Sequence, residues 1–263
     1  YTPEELRRLS EQERERMGLR AVDLRAVFPP KTHSPDPIPV LGLRNVTLRY
    51  KKRTILHDID LSAGKGEVIG VVGHNGAGKT TFSRALCGLH KDSDGQFLWE
   101  GKLMERKARL KRSYMVMQDV NYELFADSVK SECSFGIRNP NISLVENTME
   151  ELGLMPYSDK HPNTLSGGQK QRVAVAVSMI CGKELLVFDE PTSGLDYDSM
   201  TQVANLVKEL AAMGKIIFIV THDYEFVCRT CTRVLHIDHG EQYVDTPVSV
   251  ATEGELKKLF SIR

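Results

Sequence analysis

Two stretches, Asn45–Tyr50 and Ile55–Leu61, alternate apolar and polar residues as half-buried strands do. The β-branched run Glu67–Val72 stops at a glycine and predicts a buried strand, and a helix is expected from Gly78 to about Leu89. Gln96–Trp99 and Tyr114–Met117 read as further short strands. From Phe125 to Thr164 the pattern turns helical, most clearly over Ser143–Leu154, and Ser166–Cys181 predicts another helix. Leu185–Phe188 and Ile216–Val220 are short, wholly apolar runs, the mark of strands buried on both faces. Between them, Met200–Met213 has helical spacing and stops at Gly214. Val234–Ile237 and Gln242–Val244 flank Asp238-His239-Gly240 and predict a hairpin; Lys257–Phe260 predicts a last helix. Strands alternating with helices imply an α/β fold with a mostly parallel sheet covered on both faces.

Residues 1–37 differ from the rest. Tyr1–Arg25 is rich in Glu, Arg and Leu and predicts one or two short helices, and a Pro-rich stretch from Phe28 to Pro39 reads as a linker. We therefore divide the chain into a charged leader with linker, 1–37, and a main domain, 38–263. Val173–Cys181 and Ile216–Val220, the longest apolar runs, fall short of the ~18 residues that suggest a membrane span. No stretch has the character of a signal peptide, so a link to a membrane is expected through a partner.

Lys+Arg and Asp+Glu are 35 each, for a net charge of +0, which argues against a nucleic-acid substrate. The basic stretch Lys102–Arg112 is expected to be a solvated loop and edge strand. The five cysteines, an odd and scattered set, predict reduced thiols in a cytoplasm; Cys228 and Cys231 are expected to be two buried thiols on one helix.

Gly73-His74-Asn75-Gly76-Ala77-Gly78-Lys79-Thr80 fits the phosphate-loop pattern, and it lies between a predicted strand and a predicted helix. Its glycines let several N–H groups converge on one anion, and the helix N-terminus adds positive partial charge. Lys79 would reach the β- and γ-phosphates of ATP, and the Thr80 hydroxyl, followed by Thr81, would ligate Mg²⁺. Leu185–Phe188 ends in Asp189-Glu190, which places two acids at the C-terminal end of a strand, where open α/β sheets bind ligands. Asp189 is the candidate Mg²⁺ ligand and Glu190 the candidate to orient or deprotonate the attacking water. Leu165-Ser166-Gly167-Gly168-Gln169 opens a second helix whose N-terminus can bind an anion. One nucleotide does not need two such sites in one chain, so a head-to-tail dimer is expected, each ATP held between one unit's phosphate loop and the other's Ser166 region.

With these segments in place, the sequence resembles the ABC ATPase family from about Val40 to Val248. The resemblance implies a P-loop NTPase core with an antiparallel β-subdomain and a small helical subdomain, about 119–165. It implies that Tyr50, 23 residues before Gly73, stacks on adenine, and that Gln118 senses Mg²⁺ and contacts the membrane partner. Asp196, in Ser193-Gly194-Leu195-Asp196, would touch the opposite site, and His222 would contact the γ-phosphate. The 47 residues from Gln118 to Leu165 lack heptads and resemble the helical subdomain of transporter ATPases, which receives a helix from transmembrane subunits. Gln118-Asp119-Val120-Asn121-Tyr122-Glu123-Leu124-Phe125-Ala126-Asp127-Ser128-Val129, then Phe135-Gly136, is similar to the energy-coupling factor class, with Asp119-Val120 standing where that class usually has Asn-Pro. This implies an ATP-hydrolysing motor, peripheral on the cytoplasmic face, for uptake of vitamins or transition-metal ions. The first residue, Tyr1, together with the leader and linker, fits the second half of a tandem ATPase. The rival reading is a soluble ABC ATPase acting on the ribosome or nucleic acid.

Overall fold

In a computed structural model, which describes residues 38–117, 124–249, 251 and 253–261, the apolar runs become the middle of a six-stranded sheet. Its strands are β3 (Val68–Val72), β6 (Ser113–Val116), β7 (Leu185–Asp189), β8 (Ile216–Val220), β9 (Arg233–Asp238) and β10 (Glu241–Pro247), in the order β10-β9-β3-β8-β7-β6. All neighbours are parallel except β10, which returns antiparallel beside β9 through the expected hairpin.

Successive strand residues point to opposite faces, and here both faces are covered. Leu186 and Phe188 of β7 and Ile217 and Ile219 of β8 enter one core, whereas Leu185 and Val187 of β7 and Ile216 and Phe218 of β8 enter the other. A strand buried on both sides has no position for a polar residue until it leaves the sheet, so its first acids mark the sheet's edge. The first core is closed by α5 (Gly167–Ile180), α6 (Tyr197–Ala212) and α7 (Tyr224–Thr230), joined by α3 (Val129–Cys133) and α4 (Ile142–Glu151) of the helical lobe. The second lies between the main sheet, α1 (Lys79–Leu86) and an antiparallel four-stranded sheet. That sheet has the order β2-β1-β4-β5, from β1 (Pro39–Tyr50), β2 (Arg53–Gly64), β4 (Ser93–Trp99) and the short β5 (Lys102–Leu103). A last helix, α8 (Glu253–Ser261), follows β10.

The basic stretch departs from expectation. Only Lys102–Leu103 forms the edge strand; Arg106–Arg112 is a helix, α2, and Arg109 in it is buried, not solvated. The Arg109 guanidinium lies 3.6 Å from the centre of the Phe97 ring. Burial lowers the Arg109 pKa to about 10, helped by Arg106 nearby, so the group remains charged at neutral pH. Arg112 stacks more loosely on Trp99, at 5.2 Å, and pairs with Glu184. Periodicity missed this helix because its inward face is a cation's stem rather than an aliphatic side chain. The helical lobe is also more broken than its pattern suggested: two 3₁₀ turns, Met155–Tyr157 and Pro162–Thr164, separate α4 from α5.

All five cysteines are free. Cys228 lies on α7, but Cys231 caps that helix instead of continuing it. Burial pushes the thiols of Cys87, Cys133 and Cys231 up to about 12, while Cys181 is only half-buried. The thiolate is the nucleophile, so these three should resist alkylation in the folded chain. Iodoacetamide at pH 8 followed by peptide mass mapping should label Cys181 first and reach the three only in denaturant. Early labelling of Cys231 would contradict this packing.

Candidate functional site

The phosphate loop runs from the end of β3 to the start of α1, as its context predicted. Gly73 passes so close to β9 that a Cβ there would sit 1.9 Å from the Ile237 carbonyl oxygen. Gly78 caps α1 without a side chain of its own, leaving the helix's first N–H groups facing the loop. The Lys79 ammonium curls inside, donating to the carbonyls of Gly73 at 2.6 Å and His74 at 2.9 Å. Burial lowers its pKa, and the carboxylates Glu190, Asp189 and Asp238 oppose that shift. Asn75 and Gly76 form the exposed crown, Ala77 is buried beneath it, and Thr81 lies in the first turn of α1.

Asp189 ends β7 in register with Val220 of β8, on the same sheet edge as the loop. The Thr80 hydroxyl donates to Asp189 Oδ2 at 3.0 Å, so the two oxygens proposed for the metal are already adjacent. Burial raises the Asp189 pKa, and the Thr80 hydrogen bond and Lys79 hold it back. No group of three or more His, Cys, Asp or Glu side chains suited to a metal occurs among the described residues. A hydroxyl beside one carboxylate nevertheless fits Mg²⁺, a hard cation that keeps waters and binds through few carboxylates plus substrate phosphates.

Glu190 leaves the strand with φ +52, a left-handed conformation that costs a non-glycine residue about 1 kcal/mol or more. Its N–H still donates to the Val220 carbonyl at 2.8 Å. This turn aims the carboxylate at the loop after β8: Oε2 accepts from the Thr221 hydroxyl at 3.3 Å, and Oε1 lies 3.6 Å from His222 Nε2. Burial raises the Glu190 pKa, against the His222 backbone N–H, and Asp189 adds to the rise. Burial, then Lys79, lowers that of His222. A carboxylate that binds protons more readily than usual, beside a neutral imidazole and a lysine, is an arrangement suited to handling a water proton near a phosphate.

Lys79, Thr80, Asp189, Glu190 and His222 therefore converge on one sheet edge. The other predicted residues stand apart from it. Tyr50 is 65% exposed at the β1–β2 hairpin, leaving its ring face open to a planar base. Ser166 caps α5 through a reciprocal capping box with Gln169 and, with Gly167, is exposed. Among the described residues, no hydrogen bond joins Ser166–Gly168 to the phosphate loop. Asp196 caps α6 by accepting from the Ser199 N–H at 2.8 Å. Gln118 and Asp119–Glu123 lie outside the described residues. Sequence reasoning missed Asp238, Thr221 and Asp223. Asp238, in what read as a mere hairpin turn, bonds His74 of the phosphate loop and thereby ties the loop to β9. Only its polar side chain at the end of an apolar strand hinted at this.

The sequence model of a family described as ABC transporter matches residues 56–193, a range that takes in the phosphate loop, Ser166–Gly168, Asp189 and Glu190. A putative ABC transporter ATP-binding protein of Treponema denticola is 46% identical over 200 residues, covering 76% of this chain and 41% of that protein. A second from the same organism is 36% identical and covers 92% of this chain and 50% of its own length. The chain thus spans at most about half of these relatives. A putative ABC transporter ATP-binding protein of Synechocystis is 35% identical, covering 81% of this chain and 76% of that one. Among solved structures, cbiO1 of Clostridium perfringens, described as part of the ABC transporter complex cbiONQ, superposes with TM-score 0.73. It is 29% identical and covers 86% of this chain and 95% of that one. A bacterial Atm1-family ABC exporter with ATP bound, 23% identical at TM-score 0.73, shares the fold.

Proposed function

Because this chain belongs to the ABC transporter family, we propose that it is the ATP-hydrolysing motor of a transporter of the energy-coupling factor class, one that takes up a vitamin or a transition-metal ion. The observation that carries the reading is the convergence of Lys79, Thr80, Asp189, Glu190 and His222 on one edge of the parallel sheet. Tyr50 stacks on the adenine, and Gly73–Thr81 cradle the phosphates. Thr80 and Asp189 would hold Mg²⁺, with Gln118 as a further ligand, and the ion would supply charge neutralisation for the bound phosphates. Glu190 orients and deprotonates the attacking water, while Lys79 and His222 face the γ-phosphate, where charge develops.

Ser166–Gly168 and Asp196 act on the nucleotide of a second ATPase unit, homo- or heteromeric, docked head to tail. That reading is supported by the exposure of Ser166, Gly167 and Asp196 and by the lack of any bond from Ser166–Gly168 to the chain's own phosphate loop among the described residues. No helix among the described residues is long and apolar enough to cross a membrane. In this proposal the chain sits peripherally on the cytoplasmic face, with transmembrane subunits docking on the helical lobe and the Gln118 region. The likeness to cbiO1 supports the class.

A tagged chain, extracted from its native membranes in mild detergent, should bring down polytopic membrane proteins identifiable by mass spectrometry. Recovery with ribosomes or nucleic acid alone, and ATPase activity stimulated by RNA or DNA, would replace this reading with the soluble one.

A further inference from the structure

Glu190 is held at the end of a hydrogen-bond chain that the proposed reaction does not by itself require. Thr221 is fully buried. Its hydroxyl oxygen accepts the Asp223 N–H at 3.0 Å and donates to Glu190 Oε2 at 3.3 Å. A hydroxyl has one proton, and the Asp223 N–H takes one of its lone pairs, so that proton remains for the carboxylate. Asp223 is fixed in turn. Its Oδ1 caps α7 by accepting the Phe226 N–H at 3.0 Å, and its Oδ2 accepts the Thr192 hydroxyl at 3.2 Å. Thr192 belongs to the loop that begins with Glu190 itself: the Ser193 N–H donates to the Glu190 carbonyl and the Leu195 N–H to the Thr192 carbonyl. The loop after β8 thus grips the loop after β7 at two places, the Glu190 carboxylate and the Thr192 hydroxyl.

We propose that Thr221 and Asp223 are positioning residues: Thr221 sets the direction of the Glu190 carboxylate, and Asp223 locks Thr221 and registers the Thr192–Asp196 loop against it. This rests on the reading of Glu190 as the group that activates water. The need for such a device follows from the backbone. Glu190 sits just past the end of β7 in a left-handed turn, so the strand's pleat no longer sets the direction of its side chain. A displacement of about 1 Å at a reacting group can cost on the order of 10²-fold in rate. The contact with Thr221 is long, so its effect is on direction more than on strength.

The test is steady-state ATP hydrolysis and ATP binding by the full chain carrying Thr221→Val, Thr221→Ser, Thr192→Val or Glu190→Gln, with Thr221→Val/Glu190→Gln as the double variant. Thr221→Val keeps the shape and removes the hydroxyl; it should lower kcat on the order of tenfold with KM and the Kd for ATP within about twofold of the parent. Thr221→Ser, which restores the O–H, should recover most of the lost kcat. The double variant should turn over no more slowly than Glu190→Gln alone, because positioning a group that has lost its chemistry has no further effect. Thr221→Val also leaves the Asp223 N–H without its partner and can fail to fold. In that event Thr192→Val decides, since it leaves Thr221 intact and should lower kcat about threefold at unchanged KM. The proposal is overturned if folded Thr221→Val keeps its kcat, if Thr221→Ser is as slow as Thr221→Val, or if Thr192→Val leaves kcat unchanged. Should Glu190→Gln itself retain parental turnover, the assignment of Glu190 fails instead.

Discussion

Glu190→Gln should stop ATP turnover while ATP stays bound. Glutamine has the size of glutamate, and its amide oxygen can still accept the Thr221 hydroxyl that now bonds Glu190 Oε2. It cannot accept a proton from water, so the loss falls on the chemical step, roughly 10²–10⁴-fold in kcat. Binding should hold or improve. The substitution removes a buried charge next to Asp189, and the proximity of those two carboxylates is one cause of the raised Glu190 pKa. If the nucleotide is shared between two units, a variant that binds but does not hydrolyse should accumulate as the closed dimer. ATP shifts the open–closed balance only through its higher affinity for the closed form, and hydrolysis is what normally ends that preference. Light scattering after gel filtration, with and without Mg-ATP, reads both states. A mass that doubles with Mg-ATP supports the shared site; a monomer that binds ATP points to a different partner for this chain. Turnover at the parental rate would mean that another group activates the water.

Much of this arrangement was legible in the sequence because the chemistry sits where strands end. Leu185–Phe188 and Ile216–Val220 are apolar without interruption, so both faces must be buried, and Asp189 and His222, the groups following them, must lie at the sheet's edge. The phosphate loop after β3 falls on that edge by the same logic. The strand order, β3 beside β8 and β8 beside β7, was not legible, yet it is what brings Lys79, Asp189 and His222 together. Nor could a local pattern show contacts made between distant segments. His74 and Asp238 are 164 residues apart, and Thr192 and Asp223 are 31 apart. Helix α2 escaped for a different reason: its buried face is Arg109 stacked on Phe97, and hydropathy counts an arginine as solvated however its stem is packed.

The same long-range packing makes Gly73 the loop position least able to change. Gly73 has φ +148 and Gly76 has φ +87, so an alanine at either is strained, by about 1–2 kcal/mol. Their surroundings differ. A Cβ on Gly76 meets nothing within 4 Å, whereas one on Gly73 meets the Ile237 carbonyl oxygen at 1.9 Å. That oxygen cannot retreat easily. It belongs to β9, which is paired with β3 on one side, where His236 faces Val72, and with β10 on the other, where Ile237 faces Gln242. The loop must therefore move, adding an overpacking cost of about 1–3 kcal/mol and carrying the Gly73 carbonyl away from Lys79. Gly73→Ala should melt below both the parent and Gly76→Ala without nucleotide. Its Kd for Mg-ATP should rise at least about tenfold, since each 1.4 kcal/mol of lost binding is a factor of ten. Differential scanning fluorimetry and titration with a fluorescent ATP analogue measure the two effects separately. Equal melting of Gly73→Ala and Gly76→Ala would show that β9 yields to the loop. In that case the His74–Asp238 bond, and not the close approach at Ile237, would be what holds the phosphate loop in place.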